Sequence, residues 1–210
     1  MPEPSTLLVF AAASLALLIV PGPAVVYIVT RSLSQGRSAG MVSMLGVQTG
    51  GLVHVAAAAI GVSAVLASSA TAFAIVKYVG AAYLIHLGIQ KLRRPADAPL
   101  GAIPAQTRRR LYREGIVVNV LNPKTAIFFL AFLPQFVDPD RGATALQVTV
   151  LGLLFVSLAV LSDGAYALLA GTLGDRLRRS VDVRRRLDRL SGGIYIALGA
   201  ASAFASHGRK

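Results

Sequence analysis

Five stretches of this chain are apolar for long enough to cross a lipid bilayer, and proline interrupts two of them. They cover residues 6–30, 39–67, 70–90, 115–137 and 145–171; a sixth stretch, 190–206, is shorter and rich in glycine and alanine. A crossing helix needs roughly 20 apolar residues. Inside the bilayer every backbone polar group must find a partner within the protein. The expected fold is therefore an all-α integral membrane protein with six transmembrane helices. The 210 residues form one domain, with no room for a separate soluble one. Composition agrees: mean hydropathy is +0.66 and 14% of residues are charged, against about 25% in soluble domains. The first stretch is not read as a cleaved leader. Met1, Pro2, Glu3 and Pro4 include no basic residue, and the stretch runs through Pro21-Gly22-Pro23 to Thr30.

The interruptions are Val20-Pro21-Gly22-Pro23 in span one and Leu121-Asn122-Pro123-Lys124 in span four. A proline inside a helix removes one backbone donor and frees the carbonyl four residues earlier. In hydrocarbon those carbonyls must be satisfied by protein, water or ligand. Matched interruptions in two halves of a membrane chain point to a transporter's binding site. Helix starts after Pro23 and Pro123 would offer amide donors to a carboxylate, with Lys124 assisting. Freed carbonyls would accept from an ammonium group, so a zwitterionic amino acid suits the pair. A plain kink, satisfied by neighbouring helices, is the alternative.

The net charge of +12 would suggest nucleic acid in a soluble protein, but here the basic residues lie in the gaps between spans. Aromatic residues are not interleaved with the basic clusters as they would be on a base-stacking platform, Tyr112 being a single one among arginines. Alternate gaps, counted from the first, hold sixteen Lys and Arg residues. The opposite side holds four, namely Lys77, Arg141, Arg209 and Lys210. Cytoplasmic segments are the basic ones, so both termini are placed outside and the 93–114 loop inside. That loop, with Pro95, Pro99 and Pro104, is expected to be irregular. It separates two three-span halves, about 1–92 and 115–206. Their odd span count would make them inverted repeats.

Lys124 and Asp163 are the charges deepest in apolar sequence. An isolated charge at mid-membrane costs roughly 2.5–3.5 kcal/mol on insertion scales. Either both face a cavity used by substrate or coupling ion, or they form a structural ion pair, or Lys124 snorkels to an interface. Asn119 and Asn122, three apart, either line that cavity or link helices. Gln48, Thr49 and His54 resemble a polar lining, although a membrane histidine is often only an interhelical donor. Tyr27, Tyr83 and Tyr166 stand at an interface or along the route. Gly46 and Gly50 have the spacing for close helix contact, within one subunit or across a homodimer.

No cysteine is present, so disulfide and thiol chemistry are excluded. Zinc-protease, phosphate-loop, dinucleotide and nucleophile-elbow patterns are missing. The chain is accordingly not read as an enzyme, and no cofactor or metal is implied. Active transport would draw on an ion gradient.

Val20-Pro21-Gly22-Pro23, the Lys77-Tyr78-Val79-Gly80 segment, Asn119-Val120-Leu121-Asn122-Pro123-Lys124 and Phe132-Leu133-Pro134-Gln135-Phe136 resemble the LysE/RhtB family of bacterial amino-acid exporters. The resemblance spans essentially the whole chain. It implies proton-driven export of small amino acids across the bacterial inner membrane. It carries Pro21, Gly22, Pro23, Asn122, Pro123 and Lys124 over as motif positions, with Asp163 as an acidic position in span five. It leaves the substrate open. The rival classes are a channel or inorganic-ion exporter, and a membrane scaffold protein in which Lys124 and Asp163 form a lock.

Overall fold

Proline and glycine set the helix boundaries in this chain. The computed structural model describes residues 2–68 and 105–179, with single helical positions between 75 and 93 and between 196 and 200. Helix α1 (Pro4–Ile19) opens on Pro4, whose missing N–H costs nothing in a first turn. It stops at Val20, held extended (φ −77°, ψ 115°) because the Pro21 ring disfavours a helical residue before it. After Gly22 the chain restarts as α2 (Pro23–Gln35), again with proline in the first turn. Gly36 ends α2 with φ +85°, a conformation that favours glycine, and α3 (Arg37–Ser68) follows.

Thr107 starts α4 (Arg108–Val120), its Oγ1 accepting from the Arg110 amide at 3.4 Å. The helix thus begins seven residues before residue 115, inside the loop expected to be irregular. The cap at Thr107 organises the arginine run into a helical turn. After Leu121 the chain bends into α5 (Pro123–Ile127), which passes into a π turn at Phe128–Phe132 and a 3₁₀ turn at Leu133–Phe136. A 3₁₀ turn at Pro139–Arg141 leads to α6 (Thr144–Arg179).

Helices α3 and α6 are each long and apolar enough to cross a membrane; α1 with α2 bends by 52°, and α4 with its continuation to Phe136 bends by 45°. Spans one, two, four and five stand as expected, two of them broken. Span three, with Lys77 and Tyr83, span six and most of the 93–107 connection lie outside the described residues.

Outward-facing residues confirm the solvent. Leu8, Ile60, Leu121 and Leu161 are each at least 70% exposed. Such display would be costly in water and suits lipid tails. Close approach of α3 and α4 depends on glycine. A Cβ at Gly46 would overlap the Tyr112 carbonyl, one at Gly50 would sit 2.7 Å from the Ile116 oxygen, and one at Gly115 2.6 Å from the Ser43 oxygen. The Gly46–Gly50 pair therefore works within the subunit.

Two apolar clusters fill the interior. The larger joins Phe10 and Leu17 to Phe128, Phe129, Phe132, Leu151 and Phe155, with Phe128 and Phe155 stacked at 4.5 Å. The smaller holds Ala24, Ile28, Met44, Val47 and Ala167. Along α3 the clusters are separated by Gln48, along α6 by Asp163, and along the first span by the proline break. A polar layer thus crosses the bundle between two apolar ones.

Candidate functional site

Each proline break frees carbonyls, and the structure shows what takes them. Pro21 and Pro23 release the oxygens of Leu17 and Ile19, four residues earlier. Lys124 Nζ donates to the Leu17 oxygen at 2.8 Å and to the Val20 oxygen at 2.5 Å. The Tyr166 hydroxyl donates to the Ile19 oxygen at 2.7 Å. Pro123 releases the Asn119 oxygen, which lies 2.9 Å from His54 Nε2 and also accepts from the Asn122 amide at 3.0 Å. Other spans supply side chains to every freed carbonyl.

These contacts bear on the roles expected of four residues. Carbonyls of the first break accept from a lysine of the chain itself. His54 is an interhelical partner of a freed carbonyl, and Tyr166 stitches span five to span one. Thr49 is half-buried, bonds the Tyr112 hydroxyl at 2.8 Å and does not line the central cavity.

The ends of the two restarting helices differ. Asn122 Oδ1 accepts from the Lys124 amide at 3.1 Å and caps α5. No side chain caps Gly22 at the start of α2. The first amides of α2 lack helical acceptors by geometry, and Gly22, Ala24 and Val25 line the central cavity.

That cavity is small, about 30 Å³, and holds Gly22, Gln48, Asn119, Asn122, Lys124 and Asp163 together. Both predicted charges are buried, Lys124 at 7% exposure and Asp163 at 4%. Neither points at lipid. Pro21, Pro23 and Pro123 do not line the cavity; they act by breaking the backbone.

Asp163 is held on one side only. Its Oδ2 accepts from Gln48 Nε2 at 2.7 Å, while Oδ1 is buried with no hydrogen-bond partner. The Lys124 ammonium interacts with it electrostatically. Asn119 donates through Nδ2 to the Val47 oxygen at 2.7 Å; its Oδ1 accepts from Thr125 Oγ1 at 2.9 Å and Asn122 Nδ2 at 3.4 Å. Thr125 escaped sequence reasoning because a threonine in an apolar run is unremarkable. Gln48 was visible as a polar residue, but its bond to Asp163 was not.

Polar contacts close both ends of the bundle. At one end Arg31 of α2 bonds Glu114 of α4 at 3.1 Å, and the Tyr27 hydroxyl donates to the Leu111 oxygen at 2.7 Å. At the other, Arg141 bonds Glu3 at 2.6 Å and Asp138 at 3.1 Å. Charge counting put Arg31 and Glu114 on one side of the membrane, and Glu3 and Arg141 on the other. The structure pairs them accordingly.

Broken spans around a buried, charged mid-level cavity define a membrane transporter. The family described as LysE type translocator matches residues 15–206, and the chain belongs to it. An uncharacterized membrane protein of Vibrio cholerae is 36% identical over 182 residues, covering 85% of this chain and 87% of the relative. The homoserine/homoserine lactone efflux protein of Salmonella typhimurium is 32% identical over 188 residues, 89% of this chain and 90% of the relative. The leucine efflux protein of an Enterobacter strain is 27% identical over 199 residues, 90% of each. No solved structure matches.

Proposed function

We propose that the protein exports small neutral amino acids or close analogues from the bacterial cytoplasm in exchange for protons. The observation that carries this reading is the open oxygen of Asp163, buried in the cavity that also holds the uncapped start of α2. Lys124 offsets the charge of Asp163, but a buried carboxylate oxygen with an unfilled acceptor still calls for a proton or a donor, since an unpaired buried polar atom is costly in low dielectric. A substrate α-ammonium would fill that place, and its carboxylate would meet the α2 amides. Ammonium and proton would compete for one oxygen, and that competition couples their fluxes. Leu17, Val25 and Phe155 line the rest of the cavity, which suits an uncharged side chain. The relatives' names, homoserine and leucine efflux proteins, agree with a neutral substrate.

In this reading Gly22, Asn119, Asn122, Lys124 and Asp163 form the site, while Pro21, Pro23 and Pro123 shape it. A cavity of about 30 Å³ has room for a water or two. Substrate then enters only when one end opens, with Arg31–Glu114 and Glu3–Arg141 parting alternately. Two inverted halves of one domain would rock about the cavity, both termini outside.

The test is efflux from proteoliposomes loaded with a panel of amino acids under an imposed proton gradient. Neutral amino acids should leave with wild-type protein, and gradient-driven efflux should vanish with Asp163→Asn. Full gradient-driven export by that variant would sink the mechanism. Transport of metal cations alone would replace the substrate.

A further inference from the structure

We infer that the outer face of α4 is a binding site for anionic phospholipid, its headgroup held by Arg109 and Arg113. Helix α4 packs inward through Leu111, Gly115 and Asn119, all buried. The opposite face carries Arg109, Arg113, Val117 and Leu121 at a spacing of four, all exposed. Such spacing aligns side chains along one side of a helix, each about 6 Å below the last. Two guanidinium groups therefore stand directly above an apolar stripe, with Val117 54% and Leu121 73% exposed to lipid. A phospholipid has this order of chemistry: a phosphate at the surface and acyl chains beneath it.

The charge balance of the helix asks for an anion there. Its first turn holds no acidic residue, although the positive end of a helix dipole favours negative charge. Glu114, the nearest acid, is occupied by Arg31 and Arg110 and by Gln106 Nε2 at 2.9 Å. Arg109 and Arg113 form no ion pair among the described residues. Basic clusters next to a membrane span attract anionic lipid, and a paired guanidinium fork matches phosphate oxygens. The site is independent of the cavity and of the transported substrate.

The experiment uses the full chain in phosphatidylethanolamine nanodiscs containing either phosphatidylglycerol or phosphatidylcholine, with retained lipid counted by native mass spectrometry. Phosphatidylglycerol should be retained over phosphatidylcholine. Arg109→Gln and Arg113→Gln should each lower retention about fivefold, the equivalent of about 1 kcal/mol per basic residue. Arg113→Lys should keep most of it. Equal retention of both lipids by wild-type protein, a measure needing no variant, would overturn the inference. So would wild-type retention in the double glutamine variant, or displacement of the lipid by millimolar inorganic phosphate, which would assign the arginines to a soluble anion.

Discussion

The two broken spans look alike in sequence and are satisfied in opposite ways. The break at Asn122-Pro123 caps itself: Asn122 holds the Lys124 amide, and the Asn122 amide shares the freed Asn119 oxygen with His54. The break at Pro21-Gly22-Pro23 has no such cap. Its Leu17 oxygen likewise accepts from a local amide, that of Val20, at 3.1 Å. The Val20 and Ile19 oxygens, however, depend on Lys124 and Tyr166 from two other spans, while the first amides of α2 stay open to the cavity. One break is a rigid donor and the other is a receptor. A carrier needs both, a fixed arm to grip with and a joint whose partners can change.

Removing the arm should have the largest effect. Lys124→Ala strips the Val20 oxygen of its side-chain donor, leaves the Leu17 oxygen with the Val20 amide alone, and leaves Asp163 without a compensating charge. Breaking a buried charge pair from one side costs about 3–5 kcal/mol, so thermal melting in detergent should show a severe loss of folded protein. Asp163→Asn comes next and acts differently. It keeps the Gln48 contact and the volume but loses the charge-assisted bond to an ammonium, worth about 1.5–3 kcal/mol. Substrate affinity in a binding assay should fall roughly ten- to a hundredfold. Melting should fall less than for Lys124→Ala, because Lys124 loses its counter-charge but keeps its two carbonyl acceptors.

Smaller substitutions sharpen the contrast between the breaks. Tyr166→Phe deprives the Ile19 oxygen of its side-chain donor and should cost about 1 kcal/mol of stability. His54→Phe should cost less, about 0.5 kcal/mol, near the average for interhelical bonds in membranes. The reason is that the Asn122 amide still serves the same oxygen. Equal losses for these two variants, measured by unfolding in one detergent, would remove the asymmetry between the breaks.

Much of this was legible because hydrocarbon permits few exceptions. Proline in a long apolar run has to break it, and a charge at mid-membrane has to be enclosed, so Pro21, Pro123, Lys124 and Asp163 were readable from one sequence. The Asn122 cap was within reach too, since asparagine followed by proline is a helix-start signature. What could not be read was which span answers which carbonyl. Tyr166 and His54 had several plausible surroundings, and only the crossing of the helices selects one. The early start of α4 was hidden because an arginine run scores as loop on polarity alone. The Gly46–Gly50 spacing declared a close contact without saying whether α4 or a second copy makes it. Nothing local announces the π turn at Phe128–Phe132.

That turn leaves one length of chain unusually forgiving. A π turn spends an additional residue within an otherwise regular rod, and here the surplus falls just below the lysine arm. Deleting the codon for the exposed Leu130 would return the segment toward ordinary pitch, whereas losing Phe128, Phe129 or Phe132 would also empty the core. The same deletion in the middle of α6 would swing everything beyond it by about 100° and turn Asp163 away from its neighbours. Length variation among natural sequences, if it enters these spans at all, has one inexpensive place to do so.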